Sequence, residues 1–90
     1  MSSVYSERRA MARYAVSTEL TPAEVIERAV RYFHGELGLE LAERTECCAR
    51  FSGGGGHVSV TVAQEQGEAA AEIETREWDY QVREFMRRIG

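Results

Sequence analysis

The sequence predicts an α+β domain: a four-stranded, mainly antiparallel sheet with two helices on one face, in the order β-α-β-β-β-α. One strongly signalled helix, several stretches that alternate apolar and polar residues, and a closing helical stripe carry that prediction. The helix is LTPAEVIERAVRYFHGELG, Leu20 to Gly38. The clearest alternation is His57 to Ala63, and the closing stripe runs through Val82, Phe85, Met86 and Ile89.

Residues 1–7 are small and polar, which predicts a disordered N-terminus ahead of a single domain over 8–90. From Arg9 to Thr18 the period is two, with Ala12, Tyr14 and Val16 on one face, as in a half-buried strand. Thr21 and Glu24 can then form a capping box, with Pro22 at the first helical position and Leu20 and Val25 as a hydrophobic staple. Val25, Ile26, Ala29, Val30, Phe33 and Leu37 share one side of a 3.6-residue wheel. Glu24–Arg28 and Glu27–Arg31 are spaced to pair on the other side. Gly35 or Gly38 can end the helix.

Leu39 to Phe51 reads as one long strand, with a bulge near Ala42 to restore the alternation. Ser52 to Gly56 reads as a loop, Gln64 to Gly67 as a turn, and Glu68 to Thr75 as the last strand. Trp78 extends the closing stripe back one turn, with Thr75 or Asp79 as its cap. Consecutive strands on short connections form an antiparallel meander.

Bulk composition narrows the function. The chain is 43% hydrophobic and 29% charged, ordinary for a soluble globular domain. All eleven basic residues are Arg; without Lys there is no Schiff base and no P-loop lysine. A net charge of −4 argues against nucleic acid as a partner. No apolar run reaches the ~20 residues of a membrane span. The opening residues lack an apolar secretory segment, so a cytoplasmic location is expected. Arg8, Arg9 and Arg13, and Arg83, Arg87 and Arg88, read as solvated faces.

The residues that could carry chemistry have structural readings too. Gly53 to Gly56 lie between two strands, where a phosphate cradle would need a strand and a helix, so a mobile hairpin tip is expected. Strand alternation sends Cys47 and Cys48 to opposite faces, which disfavours shared ligation, and with His34 and His57 they show no paired metal spacing. No metal or cofactor is expected. Cys48 and His57 both face outward on neighbouring strands and could approach each other, but nothing supplies an oxyanion hole. Glu72 and Glu74, about 7 Å apart on one strand face, read as partners for Arg44 or Arg50.

The strand–helix–meander–helix order resembles a shortened helix-grip domain of the START/polyketide-cyclase type. YAVSTELTPAEVIERA is similar to the first strand and following helix of that family, and DYQVREFMRRI resembles its closing helix. Those domains are longer, and so is their grip helix. A comparable order occurs in small polyhydroxyalkanoate-system proteins. Neither resemblance carries a motif that assigns a catalytic residue. The helix-grip likeness implies a cleft for an apolar ligand around Tyr14, Phe33, Phe51, Trp78 and Phe85. The expected function is non-catalytic: a binding module for a small apolar ligand or a protein partner, as a monomer or homodimer. The alternative is a small cyclase- or hydrolase-like enzyme using Tyr14, His34 or His57 in that cleft. A polar, ion-paired outer sheet face predicts a monomer, whereas an apolar stripe through Ala15, Ala63 and Ala70 would favour a homodimer through that face.

Overall fold

Alternation of apolar and polar side chains builds one antiparallel sheet, described together with two helices by the computed structural model over residues 11–90. The elements are β1 (Met11–Thr18), α1 (Pro22–Ala29) running into a π-helical segment (Val30–Glu36), β2 (Glu40–Arg44), β3 (Cys48–Gly53), β4 (Gly56–Glu65), β5 (Glu68–Arg76) and α2 (Asp79–Ile89). The disorder expected for residues 1–7, and Arg8 to Ala10, lie outside the described residues.

The sheet has five strands, not four, in the order β1-β5-β4-β3-β2. The expected long strand from Leu39 to Phe51 folds back on itself at Thr45–Cys47, so that Arg44 pairs with Ala49. Thr45 makes that reversal. Its hydroxyl accepts from the amides of Cys47 (3.4 Å) and Cys48 (3.1 Å), while its own amide donates to the Cys48 carbonyl (2.8 Å). The bulge expected near Ala42 is present as a register shift between Leu41 and Glu43. The meander returns through β5 to pair with β1, with Tyr14 opposite Ile73.

The α1 signals fold as read. Thr21 Oγ1 accepts from the Glu24 amide, and Glu24 Oε1 accepts from the Thr21 amide, completing the capping box. Glu27 pairs with Arg31 at 3.6 Å. Beyond Ala29 the turns widen, with the Leu37 amide reaching the Tyr32 carbonyl five residues back. Tyr32 and Phe33 are buried, and Val30 and Leu37, at the edge of the apolar stripe, are half-buried.

One face of the sheet carries Ala49, Phe51, Val58, Val60, Val62, Ala69, Ala71 and Ile73, and both helices pack into that single core. From α2, Val82, Phe85 and Ile89 are buried, as the stripe predicts. Neither expected residue caps this helix. Trp78 occupies the N-cap position without a side-chain bond, Asp79 sits in the first turn, and buried Thr75 belongs to β5, where its hydroxyl donates to the His57 carbonyl. At the far end Thr18 Oγ1 donates to the Ile89 carbonyl, fastening α2 to β1.

The four-glycine stretch is a packed corner. Gly53 pairs with Gly56, leaving Gly54 and Gly55 at φ +59° and +79° as a two-residue turn of the type I′ kind. Trp78 lies over this turn and donates from its indole nitrogen to the Gly53 carbonyl at 3.0 Å. The sequence suggests a free tip because the covering residue is far along the chain.

Candidate functional site

The five aromatic residues expected around a cleft divide into two groups. Phe33, Phe51 and Phe85 are at most 1% exposed, and Phe33 packs against each of the other two at a centroid distance of 5.3 Å. Tyr32 joins them edge-on to Phe33 at 5.0 Å, with the Arg88 guanidinium 4.6 Å over its outer face. Helical spacing from Val25 and Ala29 already directs Tyr32 to the space between helix and sheet, and it is buried there. Tyr14 and Trp78 are half-buried at the sheet margins. The Tyr14 hydroxyl donates to Asp79 Oδ2 at 2.6 Å, and Arg83 lies 5.8 Å over the ring. The carboxylate hydrogen bond, helped by burial, raises the Tyr14 pKa above that of an ordinary phenol.

The opposite face of the sheet is where side chains remain available. Three cross-strand rows can be read from the register. Arg50, Ser59, Glu74 and Arg13 form one; Cys48, Thr61, Glu72 and Ala15 the next; Ala63, Ala70 and Ser17 the third. Alternation directs all of these away from the helices. A shallow groove of about 350 Å³ runs over this face, bordered by Arg13, Ala15, Ser59, Thr61, Glu72 and Glu74. Glu74 pairs loosely with Arg13 at 3.9 Å, whereas Arg50 pairs with Glu43 at 3.4 Å. The expected partnership of Glu72 and Glu74 with Arg44 or Arg50 is therefore not the one formed. The β1–β5 pairing brings Arg13 alongside Glu74 instead.

Cys48 and His57 do not meet. Cys48 lies opposite Thr61 and His57 opposite Ser52, four positions along the ladder or roughly 13 Å at strand rise. His34 is also engaged elsewhere, its Nδ1–H donating to the Leu39 carbonyl at 2.7 Å. Among the described residues no group of three or more His, Cys, Asp or Glu is arranged to hold a metal ion.

No protein-family model matches this chain, and no curated protein is significantly similar to it.

The two cysteines correct an expectation from strand alternation. Because Cys47 belongs to the turn and Cys48 opens β3, the thiols share a side, with their sulfurs 3.2 Å apart. Cys47 is exposed and Cys48 half-buried. The contact with Cys47 and, after it, burial raise the Cys48 thiol pKa above its usual value.

Proposed function

We propose that this domain is a non-catalytic protein-binding module that pairs with a second copy of itself through the uncovered face of its sheet. The observation that carries the reading is the make-up of that face. Around Glu72 its centre is Ala15, Ala63, Ala70, Ser17, Ser59 and Thr61, whose short side chains let another surface approach the backbone closely. Arg13 and Glu74 stand at one end of the face. A surface bearing both signs can match itself across a two-fold axis, Arg to Glu in both directions. Mutual packing of Phe33, Phe51 and Phe85 supports a protein partner over an apolar ligand, since those rings occupy the space the helix-grip likeness would give a ligand. The groove also lacks a nucleophile with a paired base, which supports the non-catalytic reading.

Sedimentation velocity across a concentration series tests the pairing. A dimer is expected for the native chain. Ala63→Glu and Ala70→Glu, both at exposed positions, should convert it to a monomer with an unchanged far-ultraviolet spectrum. A native chain that stays monomeric at hundreds of micromolar, or a dimer indifferent to both substitutions, would refute the proposal.

A further inference from the structure

We propose that Cys47 and Cys48 form a bidentate dithiol site for a pyramidal, thiophilic trivalent centre, the class represented by monosubstituted arsenic(III). The site is defined by geometry and does not rest on the sheet-face dimer, although Cys48 ends the cross-strand row that carries Thr61 and Ala15. Adjacent cysteines on a regular strand would point apart, but the turn at Thr45–Cys47 brings both sulfurs to 3.2 Å. Backbone bonds fix the turn that carries them. Thr45 Oγ1 accepts from both cysteine amides, and the Cys47 carbonyl accepts from the Val62 amide at 2.8 Å.

The separation of the sulfurs selects among ligands. With metal–sulfur bonds near ~2.3 Å, a 3.2 Å bite gives an S–M–S angle of roughly 90°. Linear two-coordination would require sulfurs about 4.6 Å apart, and a tetrahedral zinc angle about 3.75 Å. Zinc would also want further protein ligands, and no cluster of three occurs among the described residues. Trivalent arsenic needs only two sulfurs when it already carries one organic group, and its lone pair compresses its bond angles toward a right angle. Direct oxidation of the pair fits less well. A disulfide must close to ~2.05 Å and prefers Cα atoms 4.4–6.8 Å apart, whereas neighbouring residues are held at ~3.8 Å.

Binding is a condensation without change of oxidation state. An arsonous acid, R–As(OH)2, reacts with the two thiols to form two As–S bonds. Two As–O bonds break, and the thiol protons leave with the hydroxyls as two waters. The second thiol acts intramolecularly, so a chelate should hold ~10²–10⁴-fold more tightly than either cysteine alone.

The test uses phenylarsine oxide and the full chain, read by native mass spectrometry and by competition with a small dithiol and a monothiol. One phenylarsenic per chain is expected, released by the dithiol and retained against excess monothiol. Cys47→Ser, in the turn, and Cys48→Ser, at the start of β3, should each weaken binding at least 100-fold, with circular dichroism confirming that they fold. Thr45→Val, which removes the shared acceptor but neither thiol, should weaken it several-fold. The monomeric Ala70→Glu chain should bind as the native chain does, which separates this site from the dimer. Equal binding by either single-cysteine variant would overturn the proposal, as would native affinity in Thr45→Val. Quantitative conversion of the pair to a disulfide by oxidised glutathione would overturn the preference for chelation over oxidation.

Discussion

Alanine substitution along Gly53 to Gly56 should produce four different outcomes from one chemical change. At Gly53 a new Cβ would lie 3.5 Å from Leu39 Cγ, an ordinary contact, and the backbone is not left-handed. That variant should be neutral, or more stable by up to about 1 kcal/mol through lost unfolded-state freedom. At Gly55 there is open space but φ is +79°, so the cost is that of a left-handed alanine, about 1–2 kcal/mol. Gly54 adds an approach of 3.0 Å to Trp78 Cζ2, raising the expected loss to about 2–3 kcal/mol. At Gly56 the Cβ would run into the Arg76 carbonyl oxygen and sit 2.7 Å from Glu77 Cβ. The obstacle there is backbone, and the end of the β4–β5 ladder must open. We expect a loss of about 3 kcal/mol or more. Urea unfolding followed through Trp78, the sole tryptophan, reads the corner directly. With a slope of about 1–1.5 kcal/mol/M, the midpoint should fall by roughly 1 M for Gly55→Ala and at least 2 M for Gly56→Ala. Equal midpoints for those two variants would refute the packed-corner reading.

Further outcomes follow from other contacts. Phe33→Ala removes a fully buried ring from the aromatic cluster and should cost about 3–5 kcal/mol, lowering Tm by more than 10 °C in calorimetry. Tyr14→Phe loses a charge-assisted hydrogen bond at a half-exposed position, so about 1 kcal/mol is expected after allowing for solvent. The Tyr14 pKa is raised in the fold, so this contribution is complete below pH ~10 and disappears as pH climbs through the folded value. Thermal melts between pH 8 and ~11 should accordingly show a smaller alkaline decline in Tyr14→Phe than in the native chain. Gln66 adopts φ +53° in the β4–β5 turn, where asparagine is better tolerated; Gln66→Asn should raise the urea midpoint by an amount equivalent to about 0.5 kcal/mol.

What could be read in the sequence was local. The Thr21–Glu24 cap, the β4 alternation and the α2 stripe each depend on residues within a few positions, and each folds as expected. The reversal at Thr45 was hidden because it uses no Gly, Pro, Asn or Asp; a threonine hydroxyl supplies the turn's acceptor. Missing it turned two strands into one and sent the paired thiols to opposite faces. Tyr32 lies seven residues after Val25 and three after Ala29, so the 3.6-residue wheel already puts it on the buried side despite the π-helical segment. The aromatic residues were recognisable as apolar, but not that Phe33, Phe51 and Phe85 would stack against one another. Contacts such as Trp78 on the glycine corner join residues too distant for periodicity to reveal.

The placement of β1 beside β5 has a consequence for assembly. Met11 needs Arg76, and Thr18 needs Ala69, so β1, made before the other described strands, is the last of them to find its neighbour. The hairpins from Glu40 to Arg76 close over short loops and can form early. Until they do, Tyr14 and Val16 stay in water while the ribosome delivers more than fifty further residues. Of all the steps in maturation, the docking of β1 is the one most open to interception by another chain's exposed edge.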